Sequence, residues 1–157
     1  MDVQFVNPVI AAVLNVLKTM AHIEPRPGTP KRKDRNDVVP GKNVTGLMSM
    51  VGKKANASIA LTFTEAAILH IAEKMLPTKP TQIDGVVIDL AGELANMVLG
   101  SAKTGLEEKG FSLQLSLPTI IMGSDYLIAH KTKAPIIILP FTMPEGDFFL
   151  EVSYEDM

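Results

Sequence analysis

At 157 residues the chain has the length of one domain, taken as 1–157, and enough material for a sizeable core. With 46% hydrophobic residues, 20% charged residues and a net charge of -2, it lacks the concentrated basic face that a nucleic-acid binder needs. The absence of cysteine removes disulfides, thiolate metal sites and cysteine nucleophiles together, and is compatible with the cytoplasm.

The N-terminus, MDVQFVNPV, has no basic stretch followed by a small-residue cleavage site, so no signal peptide is predicted. No apolar run approaches the roughly 20 residues of a membrane span. Asn7-Pro8 reads as a helix start, with Asn7 capping free N–H groups and Pro8 in the first turn. Val9, Val13, Val16, Leu17 and Met20 then follow helical spacing. Residues 21–43 hold Pro25, Pro27, Pro30 and Pro40 and allow at most an edge strand and loops. The basic cluster KRKDR at 31–35 lies there, broken by Asp34, and reads as a solvated loop rather than a phosphate-binding patch.

Two strand-like runs in 44–63 flank the turn-rich GKKAN, which predicts a hairpin. Thr64 is placed to cap a helix over EAAILHIAEKML that stops before Pro77. A second long helix is predicted from about Ile83 to Lys109, with Gly110 as its C-terminal cap. The remainder is strand-like: FSLQLS, TIIMG, YLIAHKT, PIIILPF and DFFLEVSYE, the last two joined by the turn MPEG. Grouped strands without alternating βαβ units favour an α+β fold, a mostly antiparallel sheet packed with long helices. No Walker-type or G-x-G-x-x-G loop, G-x-S-x-G elbow or H-E-x-x-H spacing occurs. His22, His70 and His130 are scattered and read as structural or solvated, and no metal site is expected. The nine methionines fall mostly at apolar positions and read as core filling.

The stretch IDLAGELANMVLGSAK at 88–103 carries the chemistry. At about 100° per residue, Asp89, Glu93, Asn96 and Gly100 fall on one narrow stripe bordered by Gly92 and Lys103. The rest of the wheel is apolar, so a helix buried around most of its circumference shows one thin polar strip. Each glycine costs the helix about 1 kcal/mol relative to alanine. Two explanations stand at this point: the glycines relieve packing against a neighbouring element, or they bring another surface close to the backbone. Glu93 and Asn96, three apart, are neighbours on the helix surface. A carboxylate accepts hydrogen bonds or pairs with a cation, and a primary amide donates and accepts at once, which suits it to orienting water. Asp89 and Glu93 share i,i+4 spacing, but with no histidine and too few oxygens a hard-metal site is disfavoured.

Asp89-x3-Glu93-x2-Asn96, followed by Pro118 in SLPTIIMG, resembles the signature of the CheC/CheX/FliY chemotaxis phosphatases. FVNPVIAAVLNVLKTM, LTFTEAAILHIAEKML and HKTKAPIIILPF are similar to the CheX branch, so the likeness runs over nearly the whole chain. The resemblance implies a CheC/CheX-like fold and a phosphatase of the aspartyl phosphate on a CheY-type receiver domain. It implies that Glu93 pairs with a regulator lysine and that Asn96 enters the regulator's site to orient the attacking water. Asp89, Gly92, Gly100 and Lys103 would complete the partner-binding strip. No cofactor of the chain's own is implied, Mg²⁺ being supplied by the phosphorylated regulator; a homodimer paired through sheet edges is implied, and no small-molecule substrate. A second pair of this kind would fall in the first helix, but the matching stretch is Ala12-Val13-Leu14-Asn15, so one active site per chain is expected. The alternative is a non-catalytic, flagellar-switch-like module that docks a receiver domain; the presence of both Glu93 and Asn96 favours the enzyme.

Overall fold

The computed structural model describes residues 3–53 and 55–156. Its elements run α1 Val3–Ala21, β1 Arg26–Pro27, β2 Lys31–Lys33, β3 Lys42–Val51, β4 Ala55–Thr64, α2 Glu65–Met75, α3 Gly85–Glu108, β5 Gln114–Leu115, β6 Thr119–Ser124, β7 Ile136–Met143 and β8 Gly146–Asp156. The strands form one antiparallel sheet in the order β1-β7-β8-β4-β3-β5, with β2 also on β7 and β6 also on β3. This is the expected α+β class, with an antiparallel sheet and long helices.

The middle of the sheet explains why β4 reads as a near-continuous apolar run. Ile59, Leu61 and Phe63 point to the helix side, while Ser58, Ala60 and Thr62 point to the other, and all six are buried. A strand covered on both faces loses the in–out alternation of a half-exposed one. On the helix side, Val9, Val13 and Leu17 of α1 join Leu94, Val98 and Leu106 of α3 in the core. By length and composition α1 and α3 would also suit a membrane, but each turns an apolar face into this core.

Two glycines set how closely the helices approach. A Cβ on Gly46 would lie 2.7 Å from the Ala95 Cβ, so α3 rests directly on the β3 backbone. A Cβ on Gly105 would lie 3.1 Å from the Pro8 Cβ, where α1 crosses α3. Ala95 has no rotamer with which to retreat, so Gly46→Ala must lift the helix. A loss of about 1–3 kcal/mol in urea denaturation is expected, as for other overpacked cores; a loss below 0.5 kcal/mol would contradict this seating.

The capping expectations hold at both later helices. Thr64 accepts from the Ala67 N–H and caps α2, which ends at Met75 before Pro77. Asp84 accepts from the Val87 N–H at 3.0 Å to start α3, and Gly110 takes φ +90° just beyond its end. Gly110 and Phe111 donate to Glu107 and Leu106, satisfying carbonyls that the helix end leaves free. β3 and β4 form the expected hairpin, closed by Gly52 N–H to Ala55 O at 2.8 Å; Lys54 of GKKAN lies outside the described residues. β7 and β8 meet at the expected turn, Met143 opposite Gly146.

Four local expectations are corrected. Asn7-Pro8 does not begin α1; the helix is already formed at Val3 and Pro8 lies inside it. Burial of Phe5 and Val6 holds the first turn against the backbone hydrogen bond that Pro8 forgoes. YLIAHKT is not a strand but a strap across the non-helix face of the sheet. It is fixed by side chains instead of a ladder: the Tyr126 hydroxyl to Thr45, His130 Nδ1 to Ser58 at 2.6 Å, and the Thr132 hydroxyl to Ser153. FSLQLS keeps only two strand residues, Gln114 and Leu115.

The fourth correction concerns KRKDR, which is not a solvated loop. Lys31–Lys33 forms β2 at the sheet edge, and Lys33 turns inward to Glu151 Oε1 at 2.9 Å. Arg35 donates to the carbonyls of Thr132 and Ala134, at 3.0 and 2.6 Å. The cluster thus ties the edge and the strap to the sheet. The edge-strand expectation for 21–43 itself holds, through β1 and β2.

Candidate active site

The polar strip on α3 is real. Asp89, Glu93, Asn96 and Gly100 are exposed, whereas Leu90, Ala91, Leu94, Ala95, Val98 and Leu99 are buried. Gly92 is half-buried at its border. Among the described residues, no hydrogen bond or ion pair engages the side chains of Asp89, Glu93 or Asn96. Lys103, half-buried at the C-terminal end of the strip, is instead drawn to Glu107 at 3.8 Å. Asp89, Glu93 and Asn96 therefore present two carboxylates and a free amide, with nothing among the described residues to satisfy them.

The structure removes one of the two explanations for the glycines. At Gly100 an added Cβ would meet nothing within 4 Å, and at Gly92 it would touch Ile120 at 3.5 Å, an ordinary contact. Neither glycine relieves a clash. Gly46 and Gly105 serve helix packing; Gly92 and Gly100 leave the strip low without any internal need for it.

The strip lies against β6. Ile120 sits opposite Gly46 and beneath Gly92, so β6 flanks the half of α3 that carries Glu93. Pro118 comes immediately before this strand, half-buried. A hollow of about 970 Å³ at the far end of α3, bordered by Lys103, Glu107, Phe111 and Tyr154, includes neither Glu93 nor Asn96. The pair is exposed on the open side of α3, which suits contact with another molecule rather than enclosing a small substrate. Among the described residues no group of three or more His, Asp or Glu is placed to hold a metal.

The other candidate positions are structural. Ala12 is buried in the core and Asn15 is exposed on α1, so the first helix offers no second carboxylate–amide pair. His22 is exposed, His70 pairs with Glu145 at 3.1 Å, and His130 is buried between Ser58 and Glu151.

Comparison with known proteins assigns the family and the fold. The family described as Chemotaxis phosphatase CheX matches residues 44–142, which span β3 to β7 and all of α3. The chain belongs to the CheX family. Over 154 residues it is 29% identical to the CheY-P phosphatase CheX of Thermotoga maritima, covering 98% of this chain and 97% of that protein. A CheC-like superfamily protein from Shewanella sp. PV-4 is 43% identical, with a TM-score of 0.91 over 99% of both chains. At 22% identity, the CheX in a CheX–CheY–BeF₃–Mg²⁺ complex from Borrelia burgdorferi shares the fold, with a TM-score of 0.78 over 96% of this chain and 97% of that one. As a CheX-family chain, the protein is a phosphatase of the chemotaxis class whose fold places Glu93 and Asn96 on its exposed helical strip.

What the sequence did not single out is the apolar surface beside the strip. Val86 and Met122 are 55% and 45% exposed. Val86 alone carried a signal, since it lies seven residues before Glu93 and so on the same face of the helix. Met122 becomes a neighbour only through the β3–β6 pairing.

Proposed function

We propose that the protein hydrolyses the aspartyl phosphate of a CheY-type response regulator, using Glu93 and Asn96. The observation that carries this reading is the exposed pair on α3, free of internal partners among the described residues. Water attacks the phosphorus, the bond from phosphorus to the aspartate oxygen breaks, and inorganic phosphate and a free carboxylate leave. No covalent intermediate on this chain is required, and the acceleration comes from position and charge. Asn96 reaches into the regulator's site, where its amide holds the attacking water in line with the leaving carboxylate. Glu93 pairs with the regulator's lysine and anchors the docking. The regulator also brings Mg²⁺, which offsets charge on the phosphoryl oxygens. Asp89, Gly92 and Gly100 form the rest of the contact, and Lys103, shared with Glu107, closes its C-terminal end.

The test is the decay of a phosphorylated receiver domain with and without the protein. Glu93→Ala is expected to weaken binding and lower the rate together. A charge pair closed off from water at an interface contributes about 2 kcal/mol or more, so roughly thirtyfold weaker binding is expected by titration with a stably phosphorylated analogue. Normal binding by this variant would remove Glu93 from the anchor.

The same reading places the protein in the cytoplasm with its regulator and makes it a homodimer paired edge to edge. The edge at β1 and β2 is blunted by Pro27, Pro30, Lys31 and Arg32, whereas β6 keeps six uncharged residues with one side open. Sedimentation at the mass of a single chain would rule the dimer out.

A further inference from the structure

We propose that β6 supplies the second half of the docking surface: Val86, Ile120 and Met122 form an apolar collar beside Glu93 that the receiver domain covers. This rests on the proposed function and adds residues that the Glu-x-x-Asn motif does not contain.

The collar follows from register and direction. Ile120 pairs with Gly46 and Met122 with Val44, two residues along the same strands, so both side chains stand on the face that carries α3. Gly46 lies under Ala95 inside the helix, and Gly52 lies against Leu113 beyond its C-terminus. The helix therefore runs alongside β3 in the same direction. Met122, opposite the early residue Val44, falls beside the N-terminal half of α3, toward Asp89 and Val86. Gly92 adds the floor: alanine would fit there in ordinary contact with Ile120, so the glycine spares the partly buried Ile120 one more covering group.

The occupant is argued from continuity with the strip. Val86 is one heptad before Glu93 on the same helical face, and Ile120 lies directly beneath Gly92, its neighbour. A partner that engages Glu93 must pass over these side chains. An exposed ion pair between Glu93 and a lysine is weak because water screens it. The same pair strengthens when an apolar surround excludes water, as at the centres of protein interfaces. The collar supplies that surround on the helix face of β6. A second copy paired through the strand's backbone edge lies in the plane of the sheet, which leaves this face to the receiver domain.

The Val86→Ser/Met122→Ser double variant tests this without altering charge. Both positions are exposed, so the variant is expected to fold. Steady-state hydrolysis of the phosphorylated receiver should show KM raised about tenfold or more with kcat little changed, while Val86→Ile/Met122→Leu retains the wild-type KM. The sedimentation mass should not change. An unchanged KM overturns the collar, as does a fall in kcat alone. A drop in mass with KM intact also overturns it, and assigns Met122 to contact between copies. Failure of the functional reading is distinguishable, because Asn96→Ala would then remain fully active whatever the collar does.

Discussion

Asn96→Ala is expected to reduce the acceleration of receiver dephosphorylation by on the order of 100-fold or more while leaving receiver binding largely intact. The amide has no partner within the fold, so its removal costs the protein no internal hydrogen bond. As an exposed helix position away from any cap, it should change stability by about half a kcal/mol or less. The loss should therefore fall on the chemical step. A water molecule held in line with the leaving carboxylate reacts as part of an assembled complex; without the amide, the water must find that geometry by chance. The measurement is single-turnover decay of a phosphorylated receiver at saturating phosphatase, with binding followed separately. Wild-type decay rates in the variant would dismiss Asn96 as the water-positioning group. Lost binding with the rate retained at saturation would make it an anchor instead.

Glu93 and Asn96 differ in which quantity they should alter, and this difference separates catalysis from docking. The carboxylate is expected to move binding and rate together, the amide mainly the rate. A binding-only module would show no such split. The position of the pair on α3 makes the experiment clean, because the buried face of the helix holds it in place. Val98, Leu94 and Ala95 fix the helix on the sheet, and Gly46 fixes how low it sits. The exposed strip is thus free to vary without unfolding what supports it.

The strip was legible in the sequence because a helix in the core shows its polar face through periodicity alone. The same reasoning recovered α2, α3 and two of their caps, since Thr64 and Gly110 act through contacts a few residues away; the Asp84 cap of α3 came only with the structure. It failed where distant residues decide. Asn7-Pro8 has the local form of a helix start, but Phe5 and Val6 find partners across the molecule, and Phe5 stacks near Phe111 and Tyr154. YLIAHKT has a strand's composition, yet its polar side chains meet Thr45, Ser58 and Ser153 on strands far away in the chain. Lys33 looked solvated because nothing near it in sequence announces Glu151, 118 positions on. That Gly92 and Gly100 relieve no internal clash was likewise illegible until the space above each was known.

Glu151→Gln should be among the most destabilising single substitutions in this protein, costing about 3–5 kcal/mol. Glu151 is 1% exposed in β8, and one of its oxygens receives both Lys33 Nζ at 2.9 Å and His130 Nε2 at 3.0 Å. Burial by itself pushes this carboxyl up; hydrogen bonds from His130 and Lys33, with their charge, outweigh it and hold the group below the ordinary carboxylate range. A depressed folded-state value stabilises the fold above the unfolded-state pKa of about 4.3, and that contribution is lost as pH falls through the folded value. Glutamine leaves the Lys33 ammonium buried without its countercharge, and so should both lower the urea midpoint at neutral pH and flatten the acid side of the stability profile. Lys33→Met/Glu151→Leu removes both charges and is expected to recover most of the loss, since buried pairs replaced by apolar side chains are often close to neutral. The strap through His130 and the edge strand β2 would loosen in the single variant. Activity per folded molecule should nevertheless persist, because α3 and its strip lie on the opposite face of the sheet. A single variant within 1 kcal/mol of wild type would show that water reaches this network and that the ion pair does not hold the edge.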